Sequence, residues 1–172
     1  MVKESLKLGI ILLLICAVST GLLAYVNDLT APVIKENESI ARKEAMLKVM
    51  PSSESFRDIS ENMSKAIDEN GNLLGYTVKV SPSGYGGEIS MMVGVKADLT
   101  ISGVEILSLS ETPGLGAKAQ DETFLSQFKG KGGNMELKKD INAISGATIT
   151  STAVTSGVKE AIELVKKEGG AL

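Results

Sequence analysis

The sequence predicts an α+β chain, with a membrane-spanning helix at the N-terminus followed by one domain in which helices flank a twisted antiparallel sheet. Three observations carry this. Residues 8–26, LGIILLLICAVSTGLLAYV, run for nineteen positions without a charge. Between about 64 and 110 the pattern changes to alternating β-formers separated by Gly-rich turns. Over 150–167 the apolar residues return at helical spacing.

The N-terminal run, wound as a helix, is roughly 28 Å long, close to the ~30 Å hydrocarbon core of a bilayer. Lys3 and Lys7 precede it, and Tyr25 lies at its far end, where an amphipathic ring suits the interface. A cleaved signal peptide would have a shorter apolar core and a better cleavage site than Ala17-Val18-Ser19. A lipoprotein signal at Cys16 would want a small residue where Ile15 stands. The leading lysines put the N-terminus in the cytoplasm and the remaining domain on the extracytoplasmic side. Residues 27–172 carry 16 basic and 20 acidic side chains, so electrostatics do not draw that domain to anionic lipid. The expected division is 1–7 cytoplasmic, 8–26 transmembrane, 27–63 linker with a stalk helix, and 64–172 the folded domain.

The stalk helix is expected over 31–50, capped by Thr30, with Pro32 in its first turn and Pro51 as its stop. Val33, Ile34, Ile40, Ala41, Ala45 and Met46 give it a loose apolar stripe. Asn70-Gly71 marks a hairpin. LLGYTVKVS (73–81), ISMMVGVKA (89–97) and VEILSLS (104–110) read as strands, giving three or four in antiparallel order. SPSGYGGE (81–88) is a Gly-rich loop. DETFLSQF (121–128) reads as a short helix capped by Asp121. In the last helix Val154, Val158, Ala161, Ile162 and Val165 share one face, and Lys166 and Lys167 suit its C-terminal dipole end.

Composition excludes several function classes. The net charge is −3 and no basic stripe occurs, which argues against nucleic-acid binding, where phosphate neutralisation dominates. There is no His, and the one cysteine, Cys16, sits in the apolar run. Zinc, copper, haem and thiol-redox sites therefore lack ligands, and no Ser-His-Asp or Cys-His nucleophile can be assembled. The acidic residues have no calcium-loop spacing, so no metal site is expected. Demanding chemistry in this chain would have to come from an organic cofactor.

Two stretches remain. ETPGLG, with Glu111, Thr112, Pro113, Gly114, Leu115 and Gly116, must turn tightly and expose its backbone. Just before the last helix comes NAISGATITST (142–152), with Ser145, Thr148, Thr150, Ser151 and Thr152 inside eight residues and Gly146 and Ala147 among them. Hydroxyls before a helix usually cap it. Five exceed that need, and a helix N-terminus flanked by small residues also suits a phosphate. The residues alone leave both readings open. No P-loop spacing is present.

SGATITS (145–151) resembles the flavinylation motif of the FMN-binding domain family. ETPGLGAK (111–118) and GYGG (84–87) resemble two further motifs of that family, in the same order. With the N-terminal span and the length, the whole chain is similar to the RnfG-type subunits of Rnf electron-transport complexes. The resemblance implies FMN attached through its phosphate to Thr148 by a separate flavin transferase. It further implies that Ser145, Gly146 and Ala147 enter the transferase, that Thr150 and Ser151 belong to the same site, and that 111–116 lie near the flavin. The implied function is electron relay inside an ion-translocating ferredoxin:NAD oxidoreductase, with the other complex subunits as partners. The family pattern usually has Asp three residues before the Ser, where this chain has Asn142, with Asp140 two residues earlier. Less efficient flavinylation is expected from that change. Rival readings are the related NqrC-type subunit of the sodium-pumping NADH:quinone reductase, expected to be longer, an exported soluble flavin carrier, and a non-redox anchored module whose hydroxyls only cap a helix.

Overall fold

The structure is a computed structural model, and it describes residues 2–169. The chain divides into two units, 1–40 and 41–172. Helix α1 runs from Val2–Val49. In the first unit its apolar side chains are exposed, and an 18-residue window has mean hydropathy 2.4. A helix of this length and composition can cross a membrane.

A separate stalk helix capped by Thr30 does not form. Thr30 lies inside α1, and its hydroxyl donates back to the Val26 carbonyl at 3.0 Å and the Asn27 carbonyl at 3.3 Å. Pro32 also lies inside. Its missing N–H deprives a single carbonyl of a donor, and on an exposed helix that carbonyl can turn to solvent. The helix does stop before Pro51.

The second unit contains five strands: β1 (Ser55–Ser60), β2 (Met63–Ile67), β3 (Leu73–Val80), β4 (Ile89–Lys96) and β5 (Ile101–Leu109). They pair antiparallel in chain order. The sheet therefore starts earlier than the sequence pattern indicates. β1 is an edge strand with most side chains in solvent, so it carries little apolar alternation to read. The 68–72 loop closes the expected hairpin, with the Asp68 carboxylate accepting from the Asn70 and Asn72 amides at 2.9 and 2.7 Å.

Both faces of the sheet are covered, which is why β4 reads as a nearly continuous apolar run. Met91, Val93 and Val95 join the main core with Val78, under α3 (Thr148–Glu168). Val154, Val158, Ala161, Ile162 and Val165 of α3 are all buried, as their spacing predicts. On the other face Met92 packs with Ala45, Met46 and Val49 from the last turns of α1. Gly94 and Gly103 pair across β4 and β5 and give Val49 room to approach the backbone.

The 111–131 segment crosses beside β5. It forms a 3-10 turn (Gly116–Gln120), helix α2 (Glu122–Leu125) and a second 3-10 turn (Ser126–Phe128). Phe124 and Phe128 meet edge to face at 5.5 Å in the core. Asp121 stands at the α2 N-cap, but its side chain makes no cap bond; its carbonyl accepts from Phe124 and Leu125 instead.

Candidate functional site

Helix α3 starts at Thr148, two residues before the apolar stripe suggests. The capping position falls on Ala147, and no side chain caps the helix. The first N–H groups therefore lack a side-chain acceptor, which leaves the positive end of the helix favourable to an anion by about 0.3–1 kcal/mol.

The five hydroxyls separate into two kinds. Ser151 is buried, accepts from the Ile144 amide at 3.0 Å and donates to the Ala147 carbonyl at 2.9 Å, so it stitches the turn before the helix. Thr150 is buried and donates to Glu111 at 3.0 Å. Thr152 donates to the Thr148 carbonyl at 2.8 Å. Ser145 and Thr148 are exposed, and among the described residues neither hydroxyl is engaged in a hydrogen bond.

Glu111 is the centre of the arrangement. It is 8% exposed. Oε1 accepts from the Tyr85 amide at 2.7 Å and the Gly86 amide at 3.2 Å, while Oε2 accepts from Thr150. One carboxylate thus ties together the GYGG loop, the ETPGLG loop and the first turn of α3. The glycines follow from this. A Cβ on Gly84 would collide with Oε1, and one on Gly116 would collide with Oε2 and stand 2.9 Å from Thr150 Oγ1. Gly146 has φ +78, and a Cβ there would press Leu115 at 3.1 Å.

Between these loops lies a cleft of about 570 Å³. Of the residues expected at the site, the structure brings Glu111, Thr112, Leu115 and Gly116 to one side of it. Gly146, Ala147, Thr148 and Thr150 come from the α3 side. Pro113 and Gly114 are exposed but do not line the cleft, nor do Ser145 and Ser151. Tyr85 and Ile149 line it too; they lie inside GYGG and SGATITS but are not among the expected site residues, and an aromatic inside an otherwise Gly-rich loop is the sequence signal for the first.

The segment before α3 is held by Gln127, whose side-chain amide accepts from the Asn142 N–H at 2.8 Å and donates to its carbonyl at 3.4 Å. The Asn142 side chain is exposed. Asp140 closes its own loop, its carboxylate accepting from the Glu136 amide at 2.8 Å.

Residues 84–163 match the FMN-binding domain family, and residues 1–49 match the RnfG N-terminal region. The G subunit of the Na(+)-translocating ferredoxin:NAD(+) oxidoreductase complex of Acetobacterium woodii is 37% identical over 94% of this chain and 92% of its own length. The chain belongs to the RnfG family. The G subunit of a proton-translocating ferredoxin:NAD(+) oxidoreductase complex from Clostridium ljungdahlii is 35% identical over 87% of the chain and 85% of its own length. Among solved structures, the C subunit of the Na(+)-translocating NADH-quinone reductase of Parabacteroides distasonis aligns with TM-score 0.52 at 27% identity, over 61% of this chain and 60% of that one. NqrC of Shewanella oneidensis gives TM-score 0.53 at 24% identity, over 66% and 67%, and shares the fold.

The residues of this RnfG family member fit FMN. The cleft volume falls within the ~300–1,000 Å³ of small-molecule sites. Leu115 and Ile149, 46% and 56% exposed, offer apolar surface, and the uncapped helix start suits a phosphate.

Proposed function

We propose that this chain is the flavoprotein electron-transfer subunit of an ion-translocating ferredoxin:NAD oxidoreductase complex, and that FMN is held on Thr148 as a phosphoester. The observation that carries the reading is the sorting of the hydroxyls. The Thr150, Ser151 and Thr152 hydroxyls are committed to the fold, whereas Thr148 is exposed, its hydroxyl without a hydrogen-bond partner among the described residues, at the first residue of α3 and on the wall of the cleft. A helix cap does not account for it, since the cluster caps nothing.

Thr148 would hold the group through a new bond from Oγ1 to the flavin phosphorus of a phosphoanhydride donor, whose P–O bond would break to release the donor's other phosphate half, with the hydroxyl proton going to a base. A separate flavin transferase supplies donor and base, and 145–147 is the small-residue segment that enters it, with Ser145 and Gly146 exposed and Ala147 buried behind them. When bound, the flavin supplies one- and two-electron chemistry. This chain's residues would retain and orient it: the α3 N-terminus would favour the phosphate charge, and Leu115 and Ile149 would shield part of the ring from water. Helix α1 anchors the chain in the membrane with the domain on the extracytoplasmic side, and the other members of the complex are its partners. Asn142 makes maturation less efficient than Asp would.

The test is flavin fluorescence of the denatured band after co-production with a flavin transferase, with Thr148→Ala alongside. A fluorescent wild-type band and a dark variant support the reading. Fluorescence that survives in the variant moves the attachment, with Ser145 the next exposed hydroxyl. A dark wild-type band overturns it. Under limiting transferase, Asn142→Asp should raise flavin content per chain; no change would remove the role given to position 142.

A further inference from the structure

We infer that Tyr85 is the ring-binding residue of the cleft, presented there by Glu111, and that it takes a planar heteroaromatic ring against its face. The inference rests on the proposed FMN site and goes beyond it, to which residue grips the ring and on which side of Thr148 the ring lies.

The first observation is an inventory of aromatics. The chain has three Tyr and three Phe. In the second unit, Phe124 and Phe128 are buried against each other. Phe56 packs beside the last turns of α1. Tyr76 is buried and donates its hydroxyl to the Gly169 carbonyl at 3.0 Å. Tyr85 differs: it is 72% exposed, and its hydroxyl has no hydrogen-bond partner among the described residues. Folding gives no reason for an aromatic there.

The second observation is that the loop beneath it is held firmly. Gly84 N–H donates to the Gly87 carbonyl at 2.7 Å, Ile89 N–H to the Pro82 carbonyl at 2.9 Å, and Ser83 bridges Glu88. Tyr85 and Gly86 donate their amides to the buried Glu111 carboxylate at 2.7 and 3.2 Å. The backbone is fixed while the ring is left without a partner. That is how an anchor is arranged when its order is set before the ligand arrives.

The third observation chooses the side. Thr148 and Ile149 border two hollows. The larger, about 570 Å³, includes Tyr85 and Leu115. The other, about 400 Å³, is lined by residues such as Pro82, Ser83, Thr152 and Ser156 and has no aromatic. A flat, polarisable ring gains from an aromatic face and an aliphatic wall, which only the first provides. Glu111 is a positioning residue here, acting through the amides of 85 and 86.

The experiment uses the full chain in detergent, co-produced with a flavin transferase, in wild-type, Tyr85→Trp, Tyr85→Ala and Thr152→Ala forms. Each sample is read twice: as fluorescence of the denatured band, which counts covalent flavin, and as native emission per flavin. Stacking on Tyr or Trp quenches flavin emission. The expected result is equal covalent loading in all four, with native emission several-fold higher in Tyr85→Ala, at or below wild type in Tyr85→Trp, and unchanged in Thr152→Ala. Loaded Tyr85→Ala that emits like wild type overturns the assignment alone, and sends Tyr85 to a protein partner. Brightening in Thr152→Ala but not in Tyr85→Ala puts the ring in the second hollow and overturns it too. A dark denatured band from the wild type overturns the covalent reading, and this inference with it.

Discussion

Replacing Glu111 by Ala removes the acceptor of three hydrogen bonds at a residue that is nearly buried. Two backbone N–H groups and the Thr150 hydroxyl lose their partner together. Each buried polar group left unpaired costs about 1–3 kcal/mol. Water entering from the adjoining cleft recovers part of this, so the low end applies to each group and the sum is about 3 kcal/mol. Glu111→Gln should behave differently. Its carbonyl still accepts from Tyr85 and Gly86, and its amide can donate to Thr150 if that hydroxyl rotates to accept. It also relieves the chain of burying a carboxylate that forms no salt bridge among the described residues. The Gln variant should lie within about 1 kcal/mol of wild type. The assay is denaturant unfolding by circular dichroism in detergent, with amide exchange at residues 85 and 86 as the local readout. At about 1.4 kcal/mol per factor of ten, exchange at those amides in Glu111→Ala should accelerate roughly 100-fold. Equal losses in the Ala and Gln variants, or unaltered exchange at 85 and 86 in the Ala variant, would refute the reasoning.

Three further outcomes follow from the packing and the charges. Gly94→Ala would place a Cβ 2.5 Å from the backbone carbonyl oxygen of Val49, so it should destabilise by about 1–3 kcal/mol, measured by the same unfolding curves. Thr77 is buried in β3 and its hydroxyl lacks a partner; Thr77→Val should leave stability unchanged or raise it by about 1 kcal/mol, and a loss of that size would show a bound partner such as water. Asp68 and Asp98 are held below the ordinary carboxylate value of 3.8, first by hydrogen bonds from the Asn72 and Thr100 side chains and then by backbone amides. Their contribution is present above that value and is lost as pH falls through the lowered folded values. The Asp68→Asn/Asp98→Asn double variant should therefore show a flatter acid limb in a plot of melting temperature against pH.

Much of this architecture is readable in the sequence because it rests on local patterning. The uncharged run at 8–26 and the stripe from Val154 to Val165 are one-dimensional signals of burial in lipid or core. The alternating β-formers coincide with β3 and β4, and Asn70-Gly71 marks a real turn. What escapes is decided at a distance. β1 is specified by pairing with β2 more than by its own mostly exposed side chains. The continuity of α1 through Thr30 and Pro32 overrides two residues that locally signal a helix start. Within the site, the sequence marks the motifs but not their connection. Thr150 is 39 residues from Glu111, and the GYGG amides are 25 and 26 residues from it. No periodicity encodes that one carboxylate ties the three together; the sequence marks Tyr85 as an aromatic in a Gly-rich loop, but not that Glu111 holds that loop at the cleft.

The central claim is that Thr148 carries the flavin, and peptide mass spectrometry tests it most directly. Tryptic cleavage after Lys139 and Lys159 releases residues 140–159, which hold all the clustered hydroxyls in one peptide. After co-production with a flavin transferase, that peptide should gain the mass of one FMN less one water, and fragmentation should assign the gain to Thr148. An unmodified peptide from a sample whose transferase is active on another target, or a gain assigned to Ser145, would contradict the account.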